Sequence, residues 1–142
     1  MSIEEINKEV ARKCLLMWNK ENLDDLDEIV DPSIVYINPV FPKEYHGIEE
    51  FKKVLRGYQA VFPNSKIEIL DEVAEHDRVV FYISASAIHQ GKLGAIPPTG
   101  NKVKWTAMIK YRINDGKVVE QIDVEDFLSL LKQLDFVGDF LT

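Results

Sequence analysis

Alternating apolar and polar residues dominate the second half of the chain and restrict what that half can fold into. The pattern covers residues 66–73, 78–89, 101–113 and 118–124. Side chains two residues apart lie on the same face of a β-strand, so such alternation is typical of strands that are buried on one face only. Four strands of this kind predict a curved antiparallel sheet with one face directed towards the core.

The first half of the chain has a helical period instead. Apolar residues recur every three or four positions in residues 3–18, 23–30 and 48–62, which predicts three amphipathic helices. A further strand is predicted at 33–38, and a last helix at 127–134. Together these elements indicate an α+β fold in which N-terminal helices pack on one side of the sheet.

Size and charge narrow the range of partners. A chain of 142 residues is expected to form one domain, 1–142. Its net charge of −7 and its pI near 5.0 argue against nucleic acid or an anionic membrane as a partner, because both require a basic patch. The charged N-terminus and the lack of a long apolar run favour a cytoplasmic location. The three histidines lack ligand spacing, so we expect no metal site.

The only cysteine, Cys14, lies among apolar positions of the first helix. A thiol in such surroundings behaves mainly as a small hydrophobic side chain. We therefore expect Cys14 to be buried and structural rather than a nucleophile.

Small side chains in the middle of the long strands suggest a hollow interior. Ala85, Ala87 and Ala107 are predicted to face inwards, so either bulky helix residues fill the space beside them or a cavity remains. A mainly apolar cavity with a few polar groups is typical of a small-molecule site. We expect a small apolar ligand, with Phe81 and Trp105 as core rings that also form the cavity wall.

The last strand ends at a carboxyl group. Counting in steps of two from Val118 places on one face Glu120, Ile122, Val124 and Asp126. At the apolar end of a cavity, a carboxyl group has a raised pKa and becomes a stronger general base. Aspartate is also a favoured N-cap, so Asp126 is either a catalytic acid/base or the cap of the following helix. The sequence leaves both alternatives open.

Three more polar side chains are candidates for the same pocket. His89 ends the inward face of a long strand, where it would bind a substrate carbonyl, hold Asp126 in place or simply be hydrogen-bonded locally. Tyr36 and Asn38 share a face of the first strand and precede a proline-containing loop. They are candidate hydrogen-bonding groups for a substrate, although Asn38 before proline is also an ordinary turn start.

The opposite sheet face is the candidate contact between two copies of the chain. Its centre, around Tyr82, Ser84, Thr106 and Met108, is less polar than its lysine-bearing ends. We therefore expect a homodimer that packs through this face. The apolar tail, residues 136–141, is expected to cover an edge of the cavity or of the partner.

An ordered series of short motifs resembles a known family. The C-terminal part contains Asp115, Gly116 and Lys117, then Glu120, Asp126, Leu130, Leu131, Gln133 and Leu134. Upstream of it stand Phe62 and Pro63, Asp77 to Val79, His89, Gly91, and Pro97 to Gly100. In order and spacing, these residues resemble the SnoaL-like polyketide cyclases.

This resemblance implies the cone-shaped fold of nuclear transport factor 2 and ketosteroid isomerase, often homodimeric. It also implies that Asp126 moves a proton during an intramolecular aldol ring closure of a polyketide-like compound, with no metal or cofactor, and that His89 matches a family histidine. Ile122 stands where the family often has tryptophan, which would widen the pocket beside the substrate. Isomerisation, dehydration or epoxide hydrolysis on the same scaffold, or a non-catalytic binding or dimerisation module, are the alternatives.

Overall fold

The computed structural model describes residues 1–138. Half of the tail 136–141, residues 139–141, lies outside them, so the expected role of the tail stays a prediction. The helices are α1 (Ile3–Leu16), α2 (Leu26–Ile29), α3 (Ile48–Val61) and α4 (Phe127–Gln133), with a 3₁₀ turn at Met17–Asn19. The strands are β1 (Val30–Ile37), β2 (Tyr45–His46), β3 (Lys66–Glu75), β4 (Arg78–Ile88), β5 (Lys102–Asn114) and β6 (Lys117–Glu125).

The six strands form one curved, unclosed sheet in the order β2-β1-β6-β5-β4-β3. Strands β3 to β6 are antiparallel neighbours along the chain, and the predicted α+β architecture is confirmed. Several details differ from the prediction. Helix α2 has only four residues, and β1 begins at Val30 rather than at residue 33. Strand β1 returns to pair in parallel with β6, and the short strand β2 forms within a segment expected to be a loop.

A tight turn joins β5 to β6. Asp115 and Gly116 have φ angles of +50° and +76°, which is the backbone conformation that two-residue hairpins with the native strand twist require. Aspartate tolerates this region and glycine adopts it without steric cost. Asp115 and Gly116 therefore suit the hairpin turn between β5 and β6.

A β-bulge just after this turn changes which residues of β6 face the core. Ile113 pairs with Val118, but the preceding β5 residue, Arg112, pairs with Glu120. Val119 is therefore one extra residue in β6. An extra residue reverses the face of every side chain that follows it. Val124 is consequently 56% exposed and Asp123 only 7%. The prediction that one face runs from Val118 to Asp126 is wrong for this reason.

Helices α1 and α3 cover the inner face of the sheet. Ala11, Cys14 and Leu15 of α1 and Phe51 and Leu55 of α3 are buried against it. The predicted burial of Cys14 is confirmed, and that burial raises the pKa of its thiol, which opposes a nucleophilic role. Among residues 1–138, no helix has the length and apolar character needed to cross a bilayer.

Candidate active site

A cavity of about 460 Å³ lies between the inner sheet face and the helices. Its floor comes from β4 and β5, where Ala85 and Ala107 keep the space above the sheet open. Their register partners are Trp105 and Ile83, which also line it. The lining is predominantly apolar, so a bound molecule would transfer a large apolar surface out of water.

Two groups of aromatic rings form much of the wall. Trp18 lies 5.4 Å from Tyr58 between ring centroids, in an edge-to-face arrangement. Trp105 lies 4.9 Å from Phe62 in a tilted arrangement. All four rings line the cavity. They offer faces and edges on which a planar ligand can stack.

The segment after β4 closes another side of the cavity. The backbone N–H groups of Gln90 and Gly91 both donate to the carbonyl of Val61 at the end of α3, at 3.0 and 3.1 Å. A Cβ atom on Gly91 would lie 2.0 Å from the Ala60 carbonyl oxygen, so only glycine permits this approach. The close contact places Leu93 in the cavity wall.

Four polar side chains form one connected cluster in the cavity, defined here as the polar cluster: Tyr36, Asn38, Asp123 and Glu125. The Tyr36 hydroxyl donates to Asp123 Oδ2 at 2.6 Å. Asn38 Nδ2 donates to the Tyr36 hydroxyl at 3.2 Å and to Glu125 Oε1 at 2.9 Å. Parallel pairing of β1 with β6 brings these residues together, because it sets Tyr36 beside Gln121.

Burial changes the acidity of both carboxyl groups in the cluster. It raises the pKa of Asp123 to about 7, against the opposing effect of hydrogen bonds from Tyr36 and Gln121. It also raises the pKa of Glu125, which the bond from Asn38 partly offsets. Burial and the nearby Asp123 raise the pKa of Tyr36 as well, so its hydroxyl remains a donor. A carboxyl group poised near neutral pH can both accept and return a proton.

Two further polar side chains, Gln121 and Cys14, extend the hydrogen-bonded group around Asp123. Gln121 Nε2 donates to Asp123 Oδ1 at 2.9 Å, and the Cys14 thiol lies 3.9 Å from Gln121 Oε1. Each carboxylate oxygen of Asp123 therefore has one donor within the protein. These contacts fix the orientation of the carboxyl group.

Asn38 both starts a turn and places its amide in the cavity, which were the two alternatives drawn from the sequence. Its Oδ1 accepts the backbone N–H of Val40 at 3.0 Å, which is the turn expected before proline. This bond leaves the Nδ2 group free to reach Tyr36 and Glu125. The turn thus fixes the amide orientation that the polar cluster needs.

The predicted substrate-binding residues divide into two groups. Tyr36, Asn38 and Trp105 line the cavity. Phe81 is fully buried beside Tyr111, in the core rather than among the cavity-lining residues. Ile122 faces the other way because of the bulge in β6, and it does not line the cavity either.

Asp126 is placed at the start of α4 and outside the cavity. Its Oδ1 accepts the backbone N–H of Ser129 at 3.1 Å, and its own N–H donates to the Thr106 carbonyl at 2.9 Å. The side chain is exposed. Of the two alternatives drawn from the sequence, these contacts are those of a helix cap.

Replacing Asp126 by alanine should therefore lower stability without removing activity. We expect a loss of about 1 kcal/mol in the free energy of unfolding, because the Ser129 N–H loses its acceptor. Asp126→Asn should keep near wild-type stability, since asparagine caps equally well. Urea unfolding of the three proteins measures this order, and equal losses for both variants would contradict it.

His89 is buried next to Phe62 and bonded to a neighbouring loop residue. Its Nδ1 accepts the backbone N–H of Thr99 at 3.2 Å and lies 2.9 Å from the Thr99 hydroxyl oxygen. These bonds join it to the segment after β4 rather than to Asp126, and it does not line the cavity. Its contacts are those of the locally hydrogen-bonded alternative.

Asp123 and Glu125 were not among the site residues predicted from the sequence. Unbroken alternation through β6 would place both on the outer face together with Gln121. One signal was available in the sequence: Gln121, Asp123 and Glu125 are polar residues spaced two apart, and they alternate with the apolar Ile122 and Val124. Tyr36 and Asn38 are likewise polar residues two positions apart, so their side chains lie on one face of the first strand.

Within residues 1–138, no group of three or more histidine, cysteine, aspartate or glutamate side chains is arranged to hold a metal ion.

Comparison with known proteins agrees with this architecture. A model of the SnoaL-like polyketide cyclases matches residues 8–134. The chain is 32% identical over 124 residues to the nogalonic acid methyl ester cyclase of Streptomyces nogalater, covering 82% of this chain and 88% of that relative.

Two solved structures have closely similar folds. AclR, a proposed hydroxylase from Streptomyces galilaeus, has a TM-score of 0.82 and 30% identity, covering 97% of this chain and 90% of its own. A proposed SnoaL-like polyketide cyclase from Jannaschia Sp. CCS1 has a TM-score of 0.88 at 20% identity, covering 97% of each chain. On the family match and the curated relative, the chain belongs to the SnoaL-like polyketide cyclase family.

Proposed function

We propose that this protein catalyses ring closure of a small, largely apolar carbonyl compound by intramolecular aldol addition, with Asp123 as general base and acid. The observation that carries the proposal is one carboxyl group with a pKa of about 7 that lines an apolar cavity. Family membership supports a cyclase-type function, and the Streptomyces nogalater relative is by its name a cyclase that acts on a methyl ester.

In the proposed reaction, ionised Asp123 removes a proton from a carbon flanked by carbonyl groups. Neighbouring carbonyls delocalise the resulting charge, so a carboxylate is a sufficient base. The enolate carbon then attacks a second carbonyl of the same molecule, forming the C–C bond while the C=O π bond breaks. The new alkoxide takes back the proton from Asp123, so the product is an isomer of the substrate.

The rest of the polar cluster would position the base. Tyr36 and Gln121 hold one oxygen each of the Asp123 carboxyl group, at 2.6 and 2.9 Å. Glu125, bound to Asn38, also lines the cavity and provides a second group able to donate a proton to the alkoxide. Preorganised groups of this kind lower the cost of reorganisation during the reaction.

Deuterium uptake tests the proposed base without knowledge of the natural substrate. An aryl β-keto ester in D₂O should take up deuterium at the carbon between its carbonyls faster with the wild type than without protein. Asp123→Asn should remove this acceleration, and Asp126→Asn should retain it. Mass spectrometry follows the exchange, and equal rates with both variants would contradict the assignment. Ligand binding without acceleration by the wild type would instead favour a non-catalytic binding module.

We also propose a homodimer formed through the outer sheet face. The bulge in β6 completes an apolar row on that face, because Tyr82, Met108 and Val124 are register partners across three strands. All three are at least 40% exposed in the single chain. A contiguous exposed apolar patch is typical of a protein interface.

Replacing Met108 by glutamate should separate the two copies, because it places a charge in the middle of this row. Light scattering should give twice the chain mass of 16.3 kDa for the wild type and that mass alone for Met108→Glu. Ile6→Glu, at a similarly exposed position on α1, should leave the dimer intact. A monomeric wild type at high micromolar concentration would contradict the dimer.

A further inference from the structure

The lining of the cavity carries charges of both signs, and burial separates them. Its two anionic side chains, Asp123 and Glu125, are buried or half-buried. Its two cationic side chains, Lys53 and Lys92, are exposed. The cavity therefore has an acidic interior and a basic mouth.

The exposed part of the lining, called the mouth here, comes from α3, the segment after β4 and the loop after β1, where Val40 and Phe41 lie. Lys53 and Gly57 are one helical turn apart and line the cavity from α3, while Lys92 and Gly94 line it from the facing segment. A Cβ atom on either glycine would meet no other atom within 4 Å, so the space beside both is open. Each lysine thus stands next to the opening.

Both lysines are without an anionic partner in the described part of the chain, residues 1–138. Other lysines near α3 are paired: Lys52 contacts Asp27 and Glu49, and Lys43 contacts Glu50. No such contact exists for Lys53 or Lys92 within those residues. In a chain with 24 acidic residues and 17 basic ones, two unpaired cations beside one opening are available to a ligand.

We propose that the ligand is an aromatic carbonyl compound carrying a carboxylate, which lies at the mouth between Lys53 and Lys92 while the carbonyl end reaches Asp123. The proposal rests on the function given above and specifies its substrate class as a free acid rather than an ester. Aromatic rings of the ligand contact the walls formed by Trp18 and Trp105. Repulsion from the carboxyl groups inside disfavours the reversed orientation, so the charges also set the direction of entry.

Binding of a matched pair of probes tests this proposal. Anthraquinone-2-carboxylate and its methyl ester differ mainly in one negative charge, and both carry ring carbonyls. Quenching of tryptophan fluorescence reports their affinities directly, because both tryptophans of the chain line the cavity. At low salt we expect the wild type to bind the carboxylate about fivefold more tightly than the ester, as two partly screened charge contacts permit.

Variants of the two lysines test whether the preference for the carboxylate over the ester arises at the mouth. Lys53→Gln and Lys92→Gln should each reduce the ratio to about twofold, and the double variant should abolish it. Lys52→Gln is the matched control, since it removes the same charge from the adjacent residue of α3, outside the cavity lining. It should keep the fivefold ratio.

Two results would overturn the proposal: equal or tighter binding of the ester by the wild type, or the same loss of preference in Lys52→Gln. The measurement is repeated with Asp123→Asn to separate it from catalysis. If that variant loses deuterium exchange but keeps the preference, both proposals stand. If the preference is missing while exchange still depends on Asp123, only the carboxylate assignment fails.

Discussion

Asp123→Asn should abolish turnover and at the same time make the protein more stable above neutral pH. We expect a loss of about 10³-fold or more in the rate of proton abstraction, because asparagine cannot act as the base. The stability gain has a separate origin. Burial raises the pKa of Asp123 from its usual 3.8 to about 7, so the ionised carboxylate is unfavourable inside the fold.

The sign and the pH window follow from proton binding. Between about pH 4 and pH 7 the folded protein holds a proton on Asp123 that the unfolded chain releases. Rising pH therefore reduces wild-type stability across this window, and the reduction is complete above pH 7. A change from 3.8 to about 7 corresponds to on the order of 4 kcal/mol as an upper bound. Asparagine and protonated aspartate each bury a similar neutral polar group, so the two proteins should be equally stable near pH 4. Above pH 7 we expect a net gain of about 1–2 kcal/mol for the variant, within that upper bound.

Thermal unfolding at a series of pH values measures this gain. The difference in Tm between Asp123→Asn and the wild type should be near zero at pH 4 and reach about 3–8 °C at pH 8. Asp126→Asn serves as the control, because it removes a carboxyl group that is exposed and outside the cavity. A destabilised Asp123→Asn at pH 8 would contradict the unfavourable burial of the ionised carboxylate. Loss of turnover in Asp126→Asn alone would show that the base is assigned to the wrong residue.

The fold could be predicted because each of its parts leaves a local pattern in the sequence. Alternation marks β3, β4 and β5, and the aspartate–glycine turn marks the hairpin before β6. The site depends on two features with no such pattern. One extra residue at Val119 reverses the faces of β6, and the parallel pairing of β1 with β6 brings Tyr36 beside Gln121. Both arise from tertiary pairing rather than from local preference.

The same reversal explains why Asp126 looked like a catalytic residue. With unbroken alternation it would end an apolar inward row, whereas with the bulge that row becomes the outer face and its apolar members become the proposed dimer contact. Asp123 and Glu125, which unbroken alternation would place on the outer face, line the cavity instead. One backbone irregularity thus decides both the candidate base and the candidate interface. Tyr36, Asn38 and Trp105 were correctly placed inwards because burial alternates without a break around them. Residues 34, 36 and 38 are buried beside β1, and residues 103, 105 and 107 are buried on β5.

Tyr36→Phe should move the pH dependence of catalysis to higher pH. In the wild type, kcat/KM should rise with pH through about 7, since only ionised Asp123 acts as the base. The Tyr36 hydroxyl donates to this carboxylate at 2.6 Å and lowers its pKa. Without that donor the pKa of Asp123 rises further, by about one unit if the bond contributes about 1.5 kcal/mol to the ionised form.

The variant should therefore be about tenfold slower than the wild type at pH 6, and most of the difference should disappear above pH 9. Tyr58→Phe is the matched control, because Tyr58 also lines the cavity but has no hydrogen bond to Asp123. Its midpoint should stay near 7. A deficit in Tyr36→Phe that is equal at every pH would mean that the hydroxyl acts on the substrate instead of on the base. A midpoint shifted equally in Tyr58→Phe would mean that general loosening of the cavity, rather than one lost donor, controls the ionisation of Asp123.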